Sequence, residues 1–279
     1  MSNEINLSYA IGLPPEKAIE YFASKNIKIT WDWHDLWEKS QAKAFTVAGA
    51  MKADILQAIK DEIEDALKNG TPLSEFKENL IPRLKSLGWL SDSPEKMPWR
   101  LENIYRTNMQ TAFMAGRYRE MMENVKNRPY WQYLAVMDMR TRPAHAALNG
   151  KIFRYDDPFW KTHYPPNGFR CRCRVRALSE QDIKEKNLTV ESGKDHMIWE
   201  ERQLSKDGPV VRVAGYEDPR TGIRYFTDVG WSYNPGEDFW KPDLRKYDLE
   251  IRKAFEKEMA GFKPPIRGII QRLNVDVKK

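Results

Sequence analysis

Apolar residues recur at three- and four-residue steps through the first half of the chain, then switch to strict alternation near residue 170. Phe45, Ala48, Met51, Ile55, Ile59, Ile63 and Leu67 hold one helical face, and Gly70 is a fitting stop. This pattern predicts helix over most of residues 31–70. A shorter helix is expected in LPPEKAIEYFASKNI, where Pro15 suits a first turn. Thr71 and Pro72 read as the cap and first position of the next helix, which Pro82 should kink or divide. Ser, Asp and Pro in LSDSPEKMPW mark a linker.

The broadest apolar stripe lies in LENIYRTNMQTAFMAGRYREMMENVKN, through Leu101, Ile104, Tyr105, Met109, Ala112, Phe113, Met121, Met122 and Val125. Ala112, Ala115 and Gly116 are small enough to admit a close neighbour, and Arg106, Thr107 and Asn108 read as polar groups bridged beside that stripe. After Pro129, YWQYLAVMD reads as a buried strand. MRTRPAHAALNG predicts a turn with a short helical piece, and KIFRY a second strand. The proline-bearing stretch DDPFWKTHYPPNG should be irregular and held by something other than backbone pairing. SEQDIKEKN predicts a short helix, residues 208–236 short strands and turns, and DLEIRKAFEKEMAGF a late helix before a tail. The expected fold class is α+β: a helical N-terminal half (1–92), a compact α+β module with a Cys-x-Cys strand (93–187) and a mixed C-terminal region (188–279).

Composition then narrows the function. Of the 279 residues 41% are hydrophobic, enough for real cores. A formal charge of +6 spread over this length permits contact with nucleic acid or an acidic partner, but argues against a dedicated nucleic-acid binder. No apolar run approaches the ~20 residues of a membrane span, and no export signal is visible at the N-terminus. Two cysteines make no disulfide framework. The expectation is a soluble protein of a reducing cytoplasm, with no membrane contact and no small-molecule substrate. With no H-E-x-x-H, no glycine-rich phosphate loop and no triad motif, it is not expected to be an enzyme.

Candidate chemistry centres on FRCRCRVRA, residues 169–177. As a strand it places Phe169, Cys171, Cys173, Val175 and Ala177 on one face and Arg170, Arg172, Arg174 and Arg176 on the other. A disulfide two residues apart would close a strained ring. Two thiols on one face can serve as two legs of a tetrahedral zinc site, completed by His145 and His163, with Asp138 as a substitute ligand. Two buried thiols packed as small hydrophobes are the competing reading, and a redox or catalytic thiol is a third. The four guanidinium groups need anions among them. These are either Asp156, Asp157, Glu180 or Asp182 of the same domain, or a nucleic acid or acidic partner, with Arg140 and Arg142 extending the surface. Trp31, Trp33 and Trp37 read as a core seed, with a docking patch as the alternative, and His34 as part of the same aromatic packing surface rather than a site. His196 reads as a solvated loop residue.

Three segments in this order, IYRTNMQTAFMAGRY, MDMRTRPAHAALNGKIF and DDPFWKTHYPPNGFRCRCRV, resemble the phage Mu-type minor head protein family, the phage head morphogenesis proteins. The resemblance extends over about residues 13 to 240. It implies a structural virion protein that joins the procapsid near the portal vertex in few copies. Its partners would be the portal protein, other head proteins and phage DNA, and it would be assembled in the bacterial cytoplasm. Many relatives in other branches carry a histidine immediately before Cys-x-Cys; Asn167 and Gly168 stand there in this chain, and the nearest histidine is His163. The alternative function is a metal-dependent hydrolase or processing enzyme using the same His/Cys cluster.

Overall fold

The computed structural model describes residues 15–30, 39–89, 97–204 and 208–240, all within one compact unit that runs to Lys241. Trp31, Trp33, His34, Trp37, most of the expected linker and the late helix lie outside the described residues. Helix α1 (Pro15–Ala23) starts at the expected proline. The long helix expected over 31–70 is broken. Strand β1 (Asn26–Ile27) pairs in parallel with β2 (Ala44–Phe45), which follows the short helix α2 (Lys39–Lys43). Phe45 is therefore a strand residue, stacked edge-on against Phe22. Gly49 takes a left-handed turn at φ 70°, where a side chain would be strained.

The helix proper, α3, spans Ala53–Asn69 and buries Ile55, Ile59, Ile63 and Leu67. Gly70 ends it in the left-handed conformation, donating its N–H to Ala66 O. Helix α4 (Leu73–Ser86) begins one residue later than expected, with Pro72 at the cap position, and runs through Pro82 undivided. The acceptor that Pro82 leaves without a donor is the carbonyl of Glu78; both residues are solvent-exposed, so water can serve it.

Helix α5 (Met97–Glu123) is the spine. Residues 109–116 are buried without interruption; α1 packs on one side of the helix, and Tyr118 meets Trp131 of the sheet on another. Gly116 permits the first contact: a Cβ there would lie 2.9 Å from the backbone nitrogen of Ala18. Strands β3 (Tyr130–Leu134), β4 (Ile152–Arg154) and β5 (Arg174–Leu178) form an antiparallel sheet in the order β4-β3-β5. Between them lie α6 (Pro143–Ala147) and α7 (Phe159–His163), the latter inside the stretch expected to be irregular. Trp131, Trp160, Tyr164 and Phe159 fill the space between sheet, α7 and α5. Helix α8 (Glu180–Glu185) opens with a Ser179–Asp182 capping box. A second sheet joins β6 (Met197–Gln203), β7 (Val210–Glu217) and β8 (Arg224–Phe226), before α9 (Pro235–Trp240). No helix among the described residues is long and apolar enough to cross a membrane.

The two sheets are joined by a buried ion cluster. Lys151 Nζ lies 2.7 Å from Asp218 Oδ2 and 2.9 Å from Glu191 Oε2, with each side chain less than a tenth exposed. Tyr216 donates its hydroxyl to Glu191, and Arg220 pairs with Glu191 from the solvent side. Removing the one buried cation of the cluster leaves two buried carboxylates with only the exposed Arg220 to balance them. Lys151→Met is therefore expected to lower stability by about 3–5 kcal/mol in denaturant unfolding; a change under about 1 kcal/mol would mean that the cluster is not a clamp.

Candidate metal centre

Three residues converge below the ribbon. Arg142 stands at the N-cap position of α6, Pro143 presets its first turn, and one turn suffices to aim His145 inward, where it is 4% exposed. Opposite it, residues 171–173 lead into β5 with Cys171 and Cys173 buried and Arg172 half-buried. His145 Nδ1 lies 3.6 Å from Cys171 Sγ and 3.5 Å from Cys173 Sγ. The three potential ligand atoms all fall within 4.8 Å of one another. Zn–S bonds of about 2.3 Å and a Zn–N bond of about 2.0–2.1 Å at a tetrahedral angle would separate nitrogen from each sulfur by about 3.6 Å. A neutral imidazole Nδ1 has a single lone pair and can accept from one thiol at a time. One tetrahedral cation would satisfy both contacts together. The other ring nitrogen, Nε2, is buried without a hydrogen-bond partner among the described residues.

Without a cation the two thiols differ. Burial pushes the Cys171 pKa up, but hydrogen bonds from Cys173 and His145 outweigh it and hold it well below the ordinary thiol value. Cys173 is pushed up by its hydrogen bond with Cys171 and by burial.

The expected alternation holds from Cys171 to Arg176, though regular pairing starts only at Arg174. Phe169 and Arg170 belong to a turn instead: Arg170 sits at φ 59° and Phe169 packs edge-on against Trp231. The arginines find partners other than the four expected acids. Arg172 grips Asp138 with two nitrogens at 2.5 and 2.7 Å, Arg170 reaches Glu102 at 2.6 Å, and Arg176 bonds Gln132 across the strand pair. Arg142 donates to Phe169 O at 2.9 Å and pairs with Asp228 at 3.1 Å. Arg174 and Arg140 are exposed. Asp156 instead pairs with Arg154, Asp157 accepts from Gly193 N, Glu180 meets Tyr130, and Asp182 serves the α8 cap and Arg128.

Two residues nominated as ligands lie apart from the group. Asp138 is exposed, and its hydrogen bond from Arg172 holds its carboxyl well below the usual range. His163 is 1% exposed and stacks on Phe159 at 4.9 Å. Its Nε2 lies 3.2 Å from Tyr225 O, an acceptor only, so Nε2 carries the proton and Nδ1 accepts from Thr162 Oγ1 at 2.9 Å. Adjacency in sequence was misleading here: α7 turns His163 towards Tyr225 of β8, 62 residues downstream.

Several positioning residues gave no motif. Gln110 Nε2 donates to Cys173 O at 2.6 Å, Arg117 donates to Val175 O, and Arg128 reaches Ala177 O at 3.3 Å. These side chains cap alternate carbonyls on the edge of β5 that faces away from β3. Polar residues interrupting the buried run of α5 were the available signal. Asn167, 2% exposed, accepts from Tyr133 OH at 2.9 Å and fixes the turn before the ribbon.

Residues 57–176, which include His145 and the ribbon, match the family described as Phage Mu protein F like protein. The "Putative capsid assembly protein F" of Escherichia phage Mu is 43% identical over 272 residues, covering 91% of this chain and 62% of that relative. The "Mu-like prophage FluMu F protein" of Haemophilus influenzae is 42% identical over 233 residues, covering 78% of this chain and 55% of the relative. An uncharacterized protein of Haemophilus influenzae is 25% identical over 190 residues, covering 62% and 41%. The chain thus spans less than two thirds of the length of each of these curated relatives. No solved structure matches.

Burial lowers the His163 pKa from 6.5 to about 4. The unfolded chain binds a proton there near pH 6.5 that the folded chain refuses until about pH 4, so stability present above pH 6.5 is lost as pH falls towards 4. Between these limits the loss should reach about 3 kcal/mol. His163→Gln should flatten that part of the pH–stability profile; an unchanged slope would contradict the assignment.

Proposed function

The chain belongs to the family described as Phage Mu protein F like protein, and from that premise we propose that it is a structural minor head protein of a tailed phage or prophage, taking part in procapsid assembly. The observation that carries this reading is the phage Mu relative, whose name describes capsid assembly and which is 43% identical over 91% of this chain. In this reading the protein acts near the portal vertex, with the portal protein and other head proteins as partners. Phage DNA is a further contact of the outward arginines, and the protein resides in the procapsid and virion. The exposed Arg140 and Arg174 support the contact role.

One structural zinc would be held by His145, Cys171 and Cys173. Two soft sulfurs and an imidazole suit that ion, and the nitrogen–sulfur spacing of 3.5–3.6 Å fits its tetrahedron. The ion would fasten the ribbon to α6. A hydrolase built on the same three ligands would need a general base beside the open position. Asp138 is held by two Arg172 nitrogens, while Asp156 and Asp157 are engaged by Arg154 and Gly193. That arrangement favours the structural role.

Metal analysis of the purified chain should find about one zinc per chain, falling to background in C171S/C173S with a lowered Tm. A metal-free chain whose Tm is indifferent to the double substitution would remove the staple. Procapsids isolated from cells expressing the head genes should carry the chain together with the portal protein; its absence from them would overturn the head-protein reading. Retention on DNA at low salt should fall steeply as salt rises, and no retention at low salt would leave proteins as the partners of the arginine face.

A further inference from the structure

The three ligands leave a fourth tetrahedral corner, and no other His, Cys, Asp or Glu among the described residues joins the group. The cavity that His145, Cys171 and Cys173 share measures 20 Å³ and is rimmed by Arg140, Arg142, Arg170 and Arg172. That volume takes about one water-sized group, enough for a single ligand oxygen. Three rim arginines are already balanced, by Asp228, Glu102 and Asp138. The Arg140 guanidinium has no carboxylate partner among the described residues and is exposed. On the same loop Met137 and Met139 are 64% and 105% exposed, an unusual placement for two long apolar side chains flanking an acidic residue.

We propose that this opening is a docking point for a partner protein, whose Asp or Glu side chain supplies the fourth ligand while Arg140 binds its second carboxylate oxygen. The inference rests on the zinc reading above. One carboxylate oxygen fits the cavity and its partner oxygen meets the free guanidinium, a charge-assisted pair. Met137 and Met139 then cover apolar residues flanking that acid, as flexible methionines do at adaptable interfaces. A DNA phosphate can place one oxygen there too, but it offers the exposed Met137 and Met139 no apolar surface to cover. A site completed from outside would assemble only when the partner is seated, which suits a protein that must hold its place in a larger shell.

The test uses the full chain loaded with Co²⁺, with acetate as the carboxylate probe and inorganic phosphate as the control. Acetate should shift the visible ligand-field bands of the cobalt saturably, and R140A should weaken acetate binding about tenfold, the worth of one charge-assisted hydrogen bond. Metal uptake by R140A should be unchanged. Bands that ignore acetate, or an acetate response that R140A leaves intact, would overturn the proposal. A response to phosphate without one to acetate would transfer the site to nucleic acid. Failure to develop a thiolate-to-cobalt charge-transfer band would sink the metal reading itself, an outcome distinguishable from all of these.

Discussion

Two sulfur atoms sit within 3.6 Å of a single imidazole nitrogen, and much of the structure exists to keep them there. A thiol–imidazole hydrogen bond could hold one of them. Holding both draws the ribbon inward at two alternate positions, and the alternation of side chains along it sends Arg172, Arg174 and Arg176 towards the other side. Inward sulfur and outward guanidinium are thus one constraint seen from two faces.

The surrounding contacts fix that ribbon from the remaining directions. Pairing with β3 satisfies one edge of β5, and Gln110, Arg117 and Arg128 cap the carbonyls on the other. An unpaired strand edge is exposed to wrong pairing, and here side chains of α5 and the turn after it close it. Above the group, Asp138 ties the loop that carries His145 to Arg172 between the two cysteines. The acid expected as a spare ligand therefore works as a latch. Its carboxylate is held by Arg172 and stands outside the group formed by His145, Cys171 and Cys173.

Local sequence carried the elements whose determinants are local. Helix α3 keeps its apolar face and its glycine stop, α5 its small residues against α1, and the ribbon its alternation between Cys171 and Arg176. What misled was periodicity extended past its physical cause. Phe45, Ala48 and Met51 continue the helical spacing, but Phe45 is claimed by a parallel pairing with Ile27 and Gly49 turns the chain. Those are long-range and backbone facts that spacing does not encode. The candidate site shows the same division. His145 and the cysteines come together through an adjacent loop and strand, whereas the partner of His163 is a carbonyl on β8.

If a metal joins these three side chains, it converts two thiols and an imidazole into a rigid anchor without any large new core, and it leaves a coordination position at the edge of a charged surface. X-ray absorption at the zinc edge tests this most directly. The account predicts two sulfur scatterers at about 2.3 Å and nitrogen or oxygen scatterers at about 2.0–2.2 Å, four in total. A first shell of nitrogen and oxygen alone, with no sulfur, would contradict it.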